Sequence, residues 1–283
     1  SGDQAVTVTD SSFDSNSATV LGGVFVLSSY TTLMQSIHMI GCNVTNNTAQ
    51  QGAGVYIINQ ISGSASTLNL SDCHFGGNTV TSFGGAISMN AFSDEVQIIE
   101  INRCLMESNK ATQQGGVFAI GVGSGHQRVQ LIDSIWRNNQ AGTFGGVGTF
   151  GAQPSAMLDD GWYIVNNNLF ENNVAGGTLY GGTLLLNQGR NISLQSNIWR
   201  NNSVTTQRGR MGKVRRSVEF DDQIGCRRWK TTADHTSTAA AAMMAVLLTT
   251  GGVPAPTTTG HTCVRFPVVF CAAKRHLESS GAK

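Results

Sequence analysis

The sequence predicts an all-β parallel β-solenoid over residues 1–205, on the basis of three repeated features. The first is a polar anchor, which recurs with steps of 31, 31, 31, 30, 34 and 29 residues at Asn16, Asn47, Asn78, Asn109, Asn139, Asn173 and Asn202. The second is an apolar residue three positions before each anchor, with a small apolar residue two positions after it. The third is a pair of small residues, mostly Gly-Gly, that follows the anchor in most units. Self-similarity at a nearly constant period is typical of a stacked array.

Each repeat unit begins with a strand, because its side chains alternate between apolar and polar, as in Ile37-His38-Met39 and Leu68-Asn69-Leu70. Alternation of this kind predicts one buried and one solvent-facing side. A second strand follows the small pair, as in Ala86 to Met89. A unit of this length suits one circuit of a coil, so the repeats predict about six to seven coils stacked about 4.8 Å apart. A β-propeller is the alternative, but its blades need about 40–50 residues and four strands.

The anchor column and the small pair both have structural interpretations. Stacked asparagines are expected to form an amide ladder from coil to coil, as they do in cross-β structures. The pairs, such as Gly84-Gly85 and Ala53-Gly54, are expected where a corner needs a positive φ or a close backbone approach. A phosphate-binding loop is the competing interpretation, but such a site needs one glycine loop, whereas the chain repeats the pair in six units.

Composition divides the chain near Thr206. Residues 1–205 carry 6 Lys/Arg, 12 Asp/Glu and all 22 asparagines, whereas residues 206–283 carry 12 Lys/Arg and 5 Asp/Glu. Because residues 206–283 lack the repeat, they are expected to be a basic, low-order tail. We expect this tail to come from a mis-joined or frame-shifted extension of the coding sequence. A basic binding arm that uses Arg208, Arg210 and Arg215 is the alternative, and no nucleic acid partner is expected. Because neither end of the repeat region has an atypical capping coil, residues 1–205 are expected to be an interior slice of a longer solenoid.

The overall composition argues against two other classes. Charged residues make up 12% of the chain, roughly half the usual share, which disfavours a helical repeat array. The apolar run from Ala239 to Leu248 is too short for a membrane span, which needs about 20 residues. We therefore expect no transmembrane segment in this chain, and we expect a monomer.

The motifs Phe-x-x-Asn, at Phe13 to Asn16 and Phe75 to Asn78, and Gly-Gly-Ala-Ile, at Gly84 to Ile87, together resemble the repeat pair of chlamydial polymorphic membrane proteins. They also resemble the wider class of right-handed parallel β-helix, pectin-lyase-like proteins. The resemblance covers about residues 5–205. It implies a right-handed β-helix located outside the cell or at the cell surface, acting as an adhesin with a glycan or another cell-surface component as its partner.

Three cysteines lie in one column, five positions before successive anchors, at Cys42, Cys73 and Cys104. Residues about 31 apart on stacked coils form a row and do not surround a point, which disfavours a metal site. We expect stacked free thiols, with one disulfide and a metal site as alternatives. No cofactor is expected.

The competing function is that of a carbohydrate-active lyase, hydrolase or epimerase, since pectin-lyase-like enzymes cut polysaccharides with paired carboxylates or with Asp-held calcium and an arginine base. The candidate catalytic residues are Asp159, Asp160 and Arg190, and the candidate ligand-binding residues are Trp162, Tyr163 and Arg128. Calcium would be needed only under this alternative. The sequence favours a non-enzymatic scaffold that contacts glycans through a repetitive polar surface, and a purely structural spacer is the third class.

Overall fold

The computed structural model describes residues 3–29, 34–59, 64–91, 96–121, 126–150, 162–176, 183–186 and 191–205, together with three short strands nearer the C-terminus. The predicted all-β parallel β-solenoid is confirmed for the repeat region. Four parallel sheets run along the stack, and strands of one sheet pair with their equivalents about 31 residues away. Most of the tail, residues 206–283, lies outside the described residues, and so does the prediction made for it.

Sheet A opens each coil, and its strands are Gln4–Thr9, Met34–Ile40, Ala65–Ser71, Val96–Asn102, His126–Ile132, Trp162–Asn166 and Asn191–Gln195. Sheet B follows with Ser12–Asp14, Asn43–Thr45, His74–Gly76, Leu105–Glu107, Ile135–Arg137, Leu169–Glu171 and Ile198–Arg200. The strand Phe220–Asp221 adds to sheet B in an antiparallel direction, beside Ile198–Arg200.

Sheet C consists of two-residue strands at Thr48–Ala49, Thr79–Val80, Lys110–Ala111, Gln140–Ala141, Val174–Ala175 and Ser203–Val204. Sheet D completes the coil with Phe25–Ser29, Val55–Asn59, Ile87–Ala91, Phe118–Gly121, Gly148–Phe150 and Leu184–Leu186. The strands Cys263–Arg265 and Val269–Cys271 form a separate antiparallel pair.

Left-handed residues turn the chain at three corners of the coil. One such residue lies between sheets A and B and another between sheets B and C, for example Asp72 and Gly77, both with positive φ. The third corner, between sheets C and D, uses a glycine such as Gly84, and the next residue, Gly85, lies so close to the carbonyl oxygen of Gly116 that a Cβ atom would collide with it. In the second coil the left-handed glycine is Gly52, one position before the pair inferred from the sequence.

Large apolar side chains fill the interior of the stack. Met106 is the register partner of both Phe75 and Trp136, and all three are fully buried. The rings of Phe170 and Trp199 stack with centroids 4.1 Å apart. No single coil can bury these side chains alone, so the neighbouring coils supply the hydrophobic core. The prediction that equivalent side chains lie over one another is therefore confirmed.

The anchor asparagines bond from coil to coil. The Oδ1 atom of each anchor from Asn47 to Asn202 accepts both the backbone N–H and the side-chain Nδ2–H of the previous anchor, at 2.8–3.1 Å. Its own Nδ2 donates to a backbone carbonyl in the previous coil, such as that of Val44 for Asn78. Each buried amide is thus satisfied, as burial of a polar group requires.

A second ladder lies five positions before the anchors, in the column that contains the three cysteines. There a side-chain acceptor receives the backbone N–H of its equivalent in the previous coil: Cys73 Sγ from Cys42 at 3.4 Å, Ser134 Oγ from Cys104 at 3.0 Å, and Asn168 Oδ1 from Ser134 at 3.1 Å. Cysteine, serine and asparagine can replace one another here because each accepts this one bond. The thiols of Cys42, Cys73 and Cys104 are free and buried, which confirms the preferred interpretation of that column.

The sequence predicted two strands per coil joined by a corner, whereas the structure has four, because the short strands of sheets B and C occupy what was taken as the corner. Within sheets A and D, two further strands were not recognised in the sequence. Trp162–Asn166 belongs to sheet A and Gly148–Phe150 to sheet D. The first follows the longest link in the repeat region, which hid its register, and the second begins with a glycine, which weakens strand propensity.

Candidate binding surface

The outer face of sheet A brings together two of the residues singled out in the sequence. Arg128 and Trp162 are register partners on adjacent strands, and Ile98 precedes Arg128 in the same row. The Arg128 side chain is exposed, and those of Ile98 and Trp162 are partly exposed. Since neighbouring strands lie about 4.8 Å apart, a guanidinium group and an indole ring occupy one small area of the surface.

A polar row runs beside these residues, two positions further along each strand. It contains Asn69, Glu100 and Gln130, which are successive register partners and partly exposed. The Nδ2 atom of Asn69 donates to Oε2 of Glu100 at 3.1 Å. The carboxylate and the amides therefore present hydrogen-bonding groups next to the side chains of Arg128 and Trp162. We define the candidate binding surface as Ile98, Arg128, Trp162, Asn69, Glu100 and Gln130.

Tyr163 does not belong to this surface, which corrects the expectation that it would contact a ligand together with Trp162. Strand alternation points Tyr163 into the core, where it is fully buried and its hydroxyl donates to Oε1 of Gln127 at 2.9 Å. Burial raises the pKa of Tyr163 above its ordinary value. Trp162 and Tyr163 are neighbours in sequence, but they lie on opposite faces of sheet A.

The bond from Tyr163 continues into a buried polar row that the sequence analysis did not recognise. Nε2 of Gln127 donates to Oε1 of Gln97 at 2.9 Å, and Nε2 of Gln35 donates to Oε1 of Gln4 at 3.3 Å. Nε2 of Gln97 is also buried, and among the described residues it has no hydrogen-bond partner. The signal in the sequence was the recurrence of glutamine two positions before the first core-facing apolar residue of a sheet A strand, as with Gln97 before Ile99 and Gln127 before Val129.

The candidate catalytic residues Asp159, Asp160 and Arg190 lie outside the described residues, so the structure places none of them relative to Arg128 or Trp162.

In the described part of the chain, two acids are already paired with arginines. Both Asp72 carboxylate oxygens accept bonds of 2.7 Å from Arg103, which lowers the pKa of Asp72. Such pairing does not suit a general acid, whose pKa must be raised.

Glu107 forms a second ion-paired group, on the outer face of sheet B. Its two carboxylate oxygens contact Nε2 of His74 at 3.0 Å and the guanidinium of Arg137 at 2.7 Å. Partial burial acts to raise the pKa of Glu107, but the bonds with Arg137 and His74 outweigh it, so that this pKa lies below its ordinary value. The group links three successive coils and is best explained as a structural contact.

No group of three or more His, Cys, Asp or Glu side chains is arranged to hold a metal ion among the residues that the structure describes. Within the same residues, no helix has the length and apolar character needed to cross a membrane.

Comparisons with known proteins assign the chain to no family. No protein-family model, curated protein or solved structure matches the chain.

Proposed function

We propose that the chain is a non-enzymatic scaffold, located outside the cell or at the cell surface, which contacts acidic glycans through the candidate binding surface on sheet A. The observation that carries this proposal is the pairing of Arg128 with Trp162 on adjacent strands of sheet A. One side chain can bind the charge of a charged sugar and the other can contact its ring.

The chemistry of the two side chains defines the glycan class. The indole of Trp162 offers an apolar platform with one polar tip, which suits the less polar face of a sugar ring. The guanidinium of Arg128 forms bidentate hydrogen bonds with a carboxylate. Together they favour a uronate-containing chain over a neutral one. Asn69 and Gln130 add amide groups that can bond sugar hydroxyls.

A second feature supports an extended ligand. The outer rows of sheet A run along the stack with a spacing of about 4.8 Å, so a chain-like ligand can contact several strands at once. Each contact alone is weak, but contacts to one polymer act with a high effective concentration. We therefore expect measurable binding to polymers and long oligomers, and much weaker binding to monosaccharides.

The test is a titration of the full chain with uronate oligosaccharides and with neutral oligosaccharides of equal length, monitored by calorimetry and by Trp fluorescence. We expect Arg128→Ala to abolish the preference for uronates and Trp162→Ala to weaken binding to both ligands. Arg200→Ala is the matched control, because Arg200 is an exposed arginine on a different sheet. Binding that is the same in wild type, Arg128→Ala and Trp162→Ala would refute the proposal.

The same samples test the absence of catalysis. Polysaccharides incubated with the chain, with and without calcium, are expected to keep their length. Cleavage that is lost in Asp159→Ala or Asp160→Ala would overturn the non-enzymatic assignment and establish a carbohydrate-active enzyme in its place.

A further inference from the structure

The outer face of sheet B carries an apolar column on four successive coils. Its members are register partners at the first position of each strand, namely Leu105, Ile135, Leu169 and Ile198. Ile135 and Ile198 are 39% and 43% exposed, and the two leucines are partly exposed. In the three preceding coils the same position is polar, at Ser12, Asn43 and His74. Single exposed apolar residues are common on protein surfaces, but a continuous row of them indicates an interaction surface.

A charged column lies two positions further along the same strands, and its sign alternates from coil to coil. Its members are Glu107, Arg137, Glu171 and Arg200. Glu107 and Arg137 form an ion pair at 2.7 Å, whereas Glu171 and Arg200, which are also register partners, form none with the described residues. Glu171 is partly exposed and Arg200 is exposed. The alternation is therefore used only in part within one chain, and two of its charges can pair with another molecule.

We infer that this face of sheet B is an interface with a second copy of the chain, and that the two stacks run antiparallel across it. The two-fold axis lies in the interface, parallel to the strands, between the coils of Ile135 and Leu169. Each column then faces the same column of the second copy in reverse order, so that one surface is used twice. Ile135 lies opposite Leu169 of the second copy, and Leu105 lies opposite Ile198 of the second copy.

The charged column selects this arrangement. Reversing the order of four alternating charges places every acid opposite a base, so that Glu107 faces Arg200 of the second copy and Glu171 faces Arg137. A two-fold axis along the stack would instead place each coil opposite its own equivalent, and Glu107 would face a second Glu107. Complementary charges favour an interface and fix its register, whereas opposed like charges disfavour it.

The apolar column sets the position of the axis. Moving the axis by one coil towards the N-terminus would also oppose unlike charges, but it would place Leu169 opposite the polar His74. Only the axis between Ile135 and Leu169 gives all four apolar residues an apolar partner. The strand Phe220–Asp221 does not take this place, because it pairs with the edge of Ile198–Arg200 and so lies beside the column.

The size of the two columns indicates how strong the contact is. Four coils span roughly 15–20 Å along the stack, which makes this interface small by the standards of specific complexes. We therefore expect a weak, reversible dimer, which departs from the monomer expected from the sequence. The interface lies on sheet B, so the inference does not rest on the glycan contacts proposed for sheet A.

Sedimentation velocity of the full chain over a range of concentrations tests the inference. The wild type is expected to dimerise reversibly as its concentration rises. Arg200→Glu opposes two acids at both ends of the interface, and we expect it to raise the dimer dissociation constant by at least about tenfold. Lys110→Glu is the matched control, because it makes the same change of charge at an exposed position of sheet C, and it should dimerise as the wild type does. Circular dichroism checks that the variants keep the same fold.

A pair of complementary charge reversals tests the register. Glu107→Lys alone should also weaken the dimer, because the substituted lysine faces Arg200 of the second copy. An equimolar mixture of Glu107→Lys and Arg200→Glu should restore it. In the mixed dimer the substituted lysine faces the substituted glutamate, and the unaltered Glu107 of one chain faces the unaltered Arg200 of the other.

Cross-linking identifies the face. The background is a chain in which serine replaces Cys226, Cys263 and Cys271. A mixture of Leu105→Cys and Ile198→Cys should give a covalent dimer with a short bis-maleimide, because facing sheets lie about 10 Å apart. Leu105→Cys alone should not, since its two copies would also lie three coils apart along the stack.

Two results would overturn the inference. One is a wild type that remains monomeric at every concentration. The other is a dimer that Arg200→Glu does not weaken and the mixture of cysteine variants does not cross-link, because such a dimer forms through another surface.

Discussion

Asn78 accepts two hydrogen bonds from Asn47 on one side-chain oxygen, from the backbone N–H and from Nδ2, both at 3.0 Å. In return, Nδ2 of Asn78 donates to the carbonyl of Val44 at 2.8 Å. The contact therefore satisfies groups of both coils at a corner where the preceding residues, Asn46 and Gly77, are left-handed. Because the same arrangement recurs at each step of the stack, the anchor asparagines determine which residues of adjacent coils face one another.

Removing one amide from the interior of this ladder should be costly. Asn78→Ala leaves the N–H and Nδ2–H of Asn47 and the carbonyl of Val44 without this partner, and each buried unsatisfied group costs about 1–3 kcal/mol. We expect the free energy of unfolding, measured by urea titration, to fall by about 3 kcal/mol or more. Asn16→Ala is the control, because Asn16 is exposed at the end of the ladder, and it should cost less. Equal effects at both positions would show that burial of the amide is not decisive.

The aromatic interior gives a second prediction. Trp136→Ala removes a fully buried side chain that packs against Phe118 and Phe170, and truncation of a buried aromatic residue costs about 3–5 kcal/mol. Ile135→Ala, at the neighbouring but exposed position, should cost less than about 1 kcal/mol. Thermal and urea unfolding of the two variants measure the difference. A small effect of Trp136→Ala would mean that the coils close over the cavity.

Glu107 predicts a dependence of stability on pH. Its pKa is lower in the folded chain than in the unfolded one because Arg137 and His74 contact the carboxylate, despite the opposing effect of burial. The contribution is therefore present above the unfolded pKa of about 4.3 and is lost as the pH falls through the folded pKa. Since the group is partly exposed, we expect at most about 1 kcal/mol.

Urea unfolding at neutral and at acidic pH measures this contribution. The difference between the two conditions should be smaller in Glu107→Gln than in the wild type. Glu171→Gln is the matched control, since Glu171 lies in the same outer row of sheet B and forms no ion pair with the described residues. If Glu107→Gln and the wild type lose the same stability in acid, the ion pair contributes nothing.

The thiols of Cys42 and Cys104 should be unreactive in the native state. Cys42, Cys73 and Cys104 are buried. Burial raises the pKa of Cys42, and the contact with Cys73 together with burial raises the pKa of Cys104. Because the thiolate is the reactive form, we expect a maleimide or iodoacetamide reagent to label these two residues only after denaturation. Peptide mass mapping before and after unfolding separates them from the tail cysteines. Rapid native labelling of Cys104 would contradict the buried ladder.

Much of the fold could be predicted from the sequence because stacking repeats the same requirement in every coil. The apolar column of Phe75, Met106 and Trp136 was sufficient to predict parallel, in-register strands, since only neighbouring coils could bury it. The glycine at the third corner of the second coil was harder to predict. In the second coil Gly52 supplies the positive φ and Ala53 takes the position of close approach. The pair inferred from the sequence, Ala53-Gly54, was therefore wrong by one residue.

The candidate binding surface was less predictable. Arg128 and Trp162 are separated by 34 positions, a step longer than the usual period, because the link before Trp162 is long. Sequence alone therefore placed Trp162 and Tyr163 together in a loop. In the structure they occupy a strand, and its alternation sends one side chain to the surface and the other to the core.

The coil follows from the amino-acid sequence alone, because a residue type that recurs at one period indicates a local environment that every coil shares. The sequence also determined which columns are apolar, that the anchors form an amide ladder and that the corner at the small pair needs a left-handed residue. The left-handed residues at the other two corners, such as Asp72 and Gly77, were not predicted. The folded coils were needed to show which outward side chains become neighbours. The links between coils differ in length, so the number of residues between two neighbouring outward side chains varies from coil to coil. The buried columns stay aligned all the same, and this alignment sets which outward side chains meet.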